Sequence, residues 1–152
     1  MPSFSLQTSL LAPPAACFAL SLSVEAHTAS MGPSGEQVVA GTRSGEMGLG
    51  DTVTWQARHF GLPFRMTSTI SEYDAPRRFV DQQVRGPFGS WRHEHLFAPA
   101  AEGGTTMADV VQFRSPLGPL GAMVDRLALA AYLRRLIEQR NDWLSRELAA
   151  GS

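Results

Sequence analysis

Between residues 36 and 116 the chain alternates apolar and polar side chains in one short segment after another. The segments are EQVVAGTR, DTVTWQARHFG, FRMTSTISEYD, RRFVDQQVRG, FGSWRHEHLFAP and TTMADVVQFRSP. A period of two sends successive side chains to opposite faces of a strand, so each segment is expected to bury one face and wet the other. The separators Leu49-Gly50-Asp51, Tyr73-Asp74-Ala75-Pro76, Gly86-Pro87 and Glu102-Gly103-Gly104 are hairpin-sized. A parallel crossover would need a dozen or more residues. The segments are therefore expected to be antiparallel neighbours, joined by a strand at SFSLQTSLL (3–11) with Phe4, Leu6, Thr8 and Leu10 on one side.

A half-apolar sheet needs a cover. After the break at Pro13-Pro14, PPAACFALSLSVEAHTASM reads as one or two short helices with Cys17, Phe18 and Leu22 inward, closed by Gly32-Pro33-Ser34-Gly35. The last segment changes period. Leu120, Val124, Leu127 and Ala131 form one stripe, continued by Leu133, Ile137, Leu144 and Leu148. A helix from Leu117 to Ala149 would be roughly 50 Å long, enough to lie across the whole sheet. Arg134, Arg135, Arg140 and Arg146 fall in its second half, where cations suit the negative end of the helix dipole. The expected fold class is α+β: a curved antiparallel sheet of about seven strands wrapped around a long C-terminal helix, with two short helices after strand 1. Residues 1–152 are expected to form one domain.

Composition narrows the chemistry. Thirteen basic residues against 14 acidic ones give a formal charge of −1, without the positive stripe that nucleic acid requires. Every basic residue is an arginine, which excludes lysine imine chemistry and a phosphate-loop lysine. The single Cys17 allows neither an internal disulfide nor a thiolate zinc cage, and a reducing cytoplasm is expected. The apolar start has no Lys or Arg before Arg43 and is broken at Pro13-Pro14, so an export signal is not expected. No stretch approaches the ~20 apolar residues of a membrane span.

The segments GDTVTWQARHFG (50–61), FVDQQVRGPFGSWRHEHLF (79–97), GGTTMADVVQFRSPLGPLG (103–121) and YLRRLIEQRN (132–141), in this order, resemble the START/polyketide cyclase (SRPBCC, Bet v1-like) superfamily. The similarity points more narrowly to its bacterial cyclase/dehydrase-like branch. VEAHTASMGPSGEQ departs from the aromatic-proline pattern of many relatives. The resemblance implies a helix-grip fold with a cavity between sheet and terminal helix. Because the superfamily includes lipid carriers, receptors, aromatic cyclases and co-chaperones, fold alone leaves the function open.

Strand parity, set by the large apolar residues, assigns the inward side chains. They are Val53, Trp55, Ala57 and His59; Phe79, Asp81 and Gln83; Trp91, His93, His95 and Phe97; and Met107, Asp109, Val111 and Phe113. Gln56, Arg58, Gln82, Arg92, Glu94 and Gln112 then face water. Asp81, His93, His95 and Asp109 could converge on one patch, where a buried carboxylate needs a donor and an imidazole supplies it. A bulge in the His-bearing strand would turn both imidazoles to solvent.

Three readings of this patch stand side by side: a divalent-metal site, an Asp-His acid/base pair, and a satisfied polar network in a pocket wall. No metal and no cofactor are expected. The candidate catalytic residues are His93, His95, Asp81 and Asp109, and the candidate ligand contacts are Trp55, His59, Phe79, Trp91, Phe97, Met107 and Phe113. The leading function is binding of a small hydrophobic, aromatic or lipid-like molecule by a monomer or homodimer. The alternatives are a cyclase/dehydratase-type enzyme using the Asp-His pair and a co-chaperone-like interaction domain without a ligand.

Overall fold

The structure, a computed structural model, describes residues 3–115 and 128–150. In chain order the elements are β1 (Ser3–Leu10), α1 (Pro14–Leu22), α2 (Val24–Ser30), β2 (Gln37–Gly41), β3 (Thr52–His59), β4 (Leu62–Asp74), β5 (Arg78–Arg85), β6 (Ser90–Pro99), β7 (Thr105–Arg114) and α3 (Ala130–Ala150). The strands form one seven-stranded sheet in the order β1-β7-β6-β5-β4-β3-β2, with every neighbouring pair antiparallel. Only the β1–β7 pairing is non-sequential, and α1 and α2 lie in the chain between β1 and the sequential strands.

Local chemistry explains the helical segments. Pro14 opens α1, where its missing N–H costs nothing, and Ser23 caps α2 by accepting from the Ala26 N–H at 3.1 Å. Phe18 of α1 inserts edge-on among Tyr73, Phe79 and Phe97, with centroids 5.4, 5.6 and 5.6 Å away. Burying each such ring contributes roughly 1.5–3 kcal/mol, so α1 seals this end of the sheet. The 21-residue helix α3, about 30 Å long, packs on β1 and α2 and buries Leu133, Ile137 and Leu144.

Two particulars differ from expectation. Ala131, placed on the apolar stripe by spacing, is exposed, while the expected helix start at Leu117 and the stripe residues Leu120, Val124 and Leu127 lie outside the described residues. Val80, on the outward parity of β5, is fully buried. It pairs with Glu72 and Glu94, whose carboxylates bind Arg78, and a register shift between Ile70 and Glu72 alters the local alternation. Arg140, which the sequence assigned to the second half of the helix without a face, is 5% exposed.

The β5–β6 and β6–β7 ladders run without a register shift along the paired part of β6. His93 and His95 consequently keep the inward parity of Phe97.

Candidate functional site

Between the sheet and α3 lies a cavity of about 580 Å³. Its wall is mainly apolar, with Met47, Met66, Ile70, Leu133 and Ile137 among the lining side chains. Trp55 and His59 of β3, Phe79 and Asp81 of β5, and Trp91, His93 and His95 of β6 also line it. Phe97, Met107 and Phe113 do not. Phe97 and Met107 belong to the core sealed by α1, and Phe113 packs with Val111, Leu133 and Phe88. They have the inward parity of cavity residues, but helices cover the sheet at their positions. Gln83 is spent on the β5–β6 connection, where its amide both donates to the Phe88 carbonyl and accepts from the Phe88 N–H. Asp109 is fully buried behind the histidines and is not part of the cavity wall.

The polar cluster is held by strand register. Asp81 faces His93 across β5–β6, and His95 faces Asp109 across β6–β7. The side chains bond diagonally instead: His93 Nε2 to Asp109 Oδ1 at 2.7 Å, and His95 Nε2 to Asp81 Oδ2 at 2.6 Å. The two imidazoles stack 3.7 Å apart, and Phe79 stacks on the far side of His95 at 4.1 Å. From α3, Arg140 Nη2 donates to Asp109 Oδ1 at 2.6 Å, and Asn141 Nδ2 donates to Asp109 Oδ2 at 2.8 Å. Arg140 also reaches His95 Nδ1 at 3.4 Å.

These contacts determine the protonation pattern. A guanidinium can only donate, so His95 Nδ1 accepts, and its Nε2 carries the proton given to Asp81. Burial, the neighbouring His93 and Arg140 push His95 down to about 4, against a smaller upward pull from Asp81, so the ring is neutral at pH 7. For Asp81, burial raises the carboxyl, but the His95 hydrogen bond and both imidazoles outweigh it and hold it at about 2. Asp109 is also raised by burial, yet Arg140 and the His93 bond hold it well below the usual carboxylate range.

The family described as "Polyketide cyclase / dehydrase and lipid transport" matches residues 1–149. The chain belongs to this family. A comparison with curated protein sequences finds no match. Among solved structures, TTHA0849 of Thermus thermophilus is similar at 19% identity and a TM-score of 0.80, with 99% of each chain covered. The Zhui aromatase/cyclase of Streptomyces sp. R1128 has 16% identity and a TM-score of 0.77, covering 97% of this chain and 93% of its own. Ginseng major latex-like protein 151 of Panax ginseng has 13% identity and a TM-score of 0.69, covering 97% of both chains. At these identities the shared property is the fold. It is the helix-grip, Bet v1-like fold expected from the element order. The family description spans ring-forming or dehydrating enzymes and lipid carriers, so the cavity chemistry of this member has to come from its own residues. No helix among the described residues is long and apolar enough to cross a membrane.

For this family member, the two imidazoles differ in what they can do. Both nitrogens of His95 are engaged. His93 donates Nε2–H to Asp109, and its Nδ1 stands 3.9 Å from Asp81 Oδ2, with no hydrogen bond to Nδ1 among the described residues. His93 Nδ1 can therefore take a proton or meet a ligand donor, while His95 orients Asp81. Asp81, His93 and His95 could offer ligand atoms within 4.8 Å of one another. Metal binding at His95 Nε2 would move the ring proton to Nδ1, against the Arg140 N–H, and the guanidinium charge opposes a cation. The donor set suits a proton better than a metal ion.

Parity on the strands did not reveal Arg140 and Asn141, yet the helical spacing contained them. Arg140 is seven residues after Leu133, and Asn141 is four after Ile137, on the stripe that continues to Leu144. A second polar group lines another part of the cavity. His27 of α2 bonds Glu36 at 2.8 Å and packs tilted against Trp55 with centroids 4.1 Å apart, and His59 Nδ1 bonds the Tyr132 hydroxyl at 2.7 Å. All four histidines thus line one cavity. No local motif marks His27 or Glu36, because they meet only when α2 folds against β3.

Proposed function

We propose that the chain binds a small hydrophobic or aromatic molecule in the cavity between its sheet and α3, with Asp81 and His93 orienting a polar group of that molecule. The observation that carries this reading is an apolar cavity of about 580 Å³ whose wall includes Asp81, His93, His95 and Arg140, held from behind by the buried Asp109. That size lies in the usual range for small-molecule sites, roughly 300–1,000 Å³. Trp55 and Trp91 supply flat walls for ring stacking, and among the described residues Asp81 Oδ1 accepts only a long 3.4 Å bond from the Trp91 indole, leaving capacity for a ligand hydroxyl. An interaction domain without a ligand is expected to have a filled interior, and the open cavity weighs against it.

Native mass spectrometry of protein purified from cells should show a retained organic molecule. Titration with 2-naphthol should quench tryptophan emission saturably. Ala57→Leu, which fills the cavity from β3, should weaken that titration at least roughly tenfold, the order expected for overpacking a bound site. If no molecule is retained and no naphthol or long-chain alcohol gives saturable quenching, the binding reading is wrong.

A second reading is acid/base catalysis of a cyclisation or dehydration. It is favoured by Asp109 buttressing His93 at 2.7 Å while His93 Nδ1 remains open to react. Turnover of a linear β-polyketone analogue would then follow a bell-shaped pH profile. His93→Asn should abolish turnover while keeping binding, whereas binding by the native chain without turnover would leave only the carrier role.

A further inference from the structure

The antiparallel order brings the β3–β4 hairpin, the β5–β6 connection and the end of β7 to one edge of the molecule. Their segments, residues 56–65, 84–90 and 112–115, contain Arg58, Arg65, Arg85 and Arg114 and no Asp or Glu. All four arginines are exposed, and none is in an ion pair among the described residues. The carboxylate just before β2, Glu36, is turned onto His27 and is 9% exposed. Four arginines without an ion pair among the described residues thus occupy one edge of a chain whose formal charge is −1.

Large apolar side chains project from the same edge: Phe60 is 73% exposed, Leu62 59% and Val84 59%. Phe60 also has a backbone φ of 56°, and Gly61 beside it has 75°. A two-residue hairpin with positive φ at both positions favours Asn-Gly, so a phenylalanine at the first is disfavoured by backbone and solvent alike. The turn itself does not require this ring. Phe60 lines the cavity mouth with Phe88 and Tyr132, on whose ring it packs at 4.7 Å. The opposite edge also exposes Leu11, Leu49 and Tyr73, but its loops contain Glu46, Asp51, Asp74 and Glu102.

We infer that this edge docks onto the surface of a lipid bilayer bearing anionic headgroups, with Phe60 and Leu62 entering the interface and the cavity mouth set against the membrane. Aromatic and aliphatic tips flanked by arginines match the two layers of such a surface: acyl chains beneath, phosphates above. Docking would let an apolar ligand pass between bilayer and cavity without crossing water. The vesicle measurements below do not depend on the cavity ligand, so docking and ligand binding succeed or fail separately.

Cys17 is the chain's only cysteine and is 1% exposed, so Leu62→Cys gives a single reactive position for an environment-sensitive fluorophore. With vesicles of phosphatidylcholine and phosphatidylglycerol at low salt, the protein should co-sediment and the label's emission should shift to the blue. Pure phosphatidylcholine should bind it far less. Phe60→Asn, which suits the positive φ, should lower partitioning roughly tenfold, as expected for withdrawing one large apolar side chain. Arg58→Gln combined with Arg65→Gln should remove the preference for anionic vesicles, with thermal melting used to verify the fold. The inference is overturned by no sedimentation with anionic vesicles, by sedimentation without a label shift, or by equal binding to pure phosphatidylcholine. An equal shift from a label at Leu49→Cys on the opposite edge also overturns it.

Discussion

Replacing Arg140 by methionine tests the clamp between α3 and the sheet directly. The wild-type guanidinium is 5% exposed and donates to Asp109 at 2.6 Å, to Asn141 at 2.9 and 2.7 Å, and to His95 at 3.4 Å. Methionine fills similar space without strain but leaves the fully buried Asp109 carboxylate with only His93 and Asn141. Breaking a buried pair in this way costs about 3–5 kcal/mol. With an unfolding entropy of about 2.1 cal/mol/K per residue, that lowers the melting temperature of a 152-residue chain by roughly 10–15 °C. Asp109→Leu alone should also destabilise, because it strands the guanidinium. The double variant Arg140→Met with Asp109→Leu should recover most of the loss, since neither charge remains buried alone. Urea unfolding of the four proteins at pH 7 yields the coupling energy. Should Arg140→Met cost less than about 1 kcal/mol, or the double variant be no more stable than the weaker single, the buried-charge reasoning fails.

Three further outcomes follow from the same geometry. Folded His95 stays neutral down to about pH 4, whereas in the unfolded chain it protonates near its ordinary 6.5. Unfolding therefore takes up a proton, and stability falls as pH drops from 6.5 to 4, by up to about 3 kcal/mol. His95→Gln should flatten that window in pH-dependent urea melts; an unchanged slope would refute a neutral buried imidazole. Asp81 behaves as a depressed carboxylate, so its stabilisation is present above its ordinary 3.8 and is lost as pH falls through about 2. Asp81→Asn should reduce acid sensitivity below pH 4 in the same melts without abolishing it, because Asp109 is depressed as well. Phe97→Ala should cost about 3–5 kcal/mol yet change 2-naphthol affinity little, while Trp91→Ala should do the reverse; equal affinity losses would place Phe97 in the cavity wall.

The legibility of the site differs residue by residue. His93 and His95 could be assigned to the inner face because no register shift interrupts the paired part of β6. Val80 could not be placed by alternation, because its burial accompanies a register shift between β4 and β5 and an outer lattice of Arg78, Glu72 and Glu94. Phe97 and Phe79 share a parity, but only Phe79 lines the cavity, since closure of the other end depends on where α1 places Phe18. Arg140 lies on the stripe of Leu133 and Leu144, but spacing along one helix could not show that Asp109 awaits it across the sheet.

From the sequence alone came the alternation that makes a sheet, the turns that make it antiparallel, the helical stripe that covers it, and the absence of lysine and of a second cysteine. Periodicity settles which face a side chain takes, because that is a property of its own backbone. Which groups then touch depends on inter-strand register and on the rotation of α3 about its axis. Tertiary structure alone paired His93 with Asp109 and His95 with Asp81, and brought Arg140 to the Asp109 carboxylate. It also gathered exposed arginines and the exposed side chains of Phe60, Leu62 and Val84 from separate connections onto one edge. Those distances engage both nitrogens of His95 and leave His93 Nδ1 without a hydrogen bond among the described residues, and so decide which imidazole can meet a ligand.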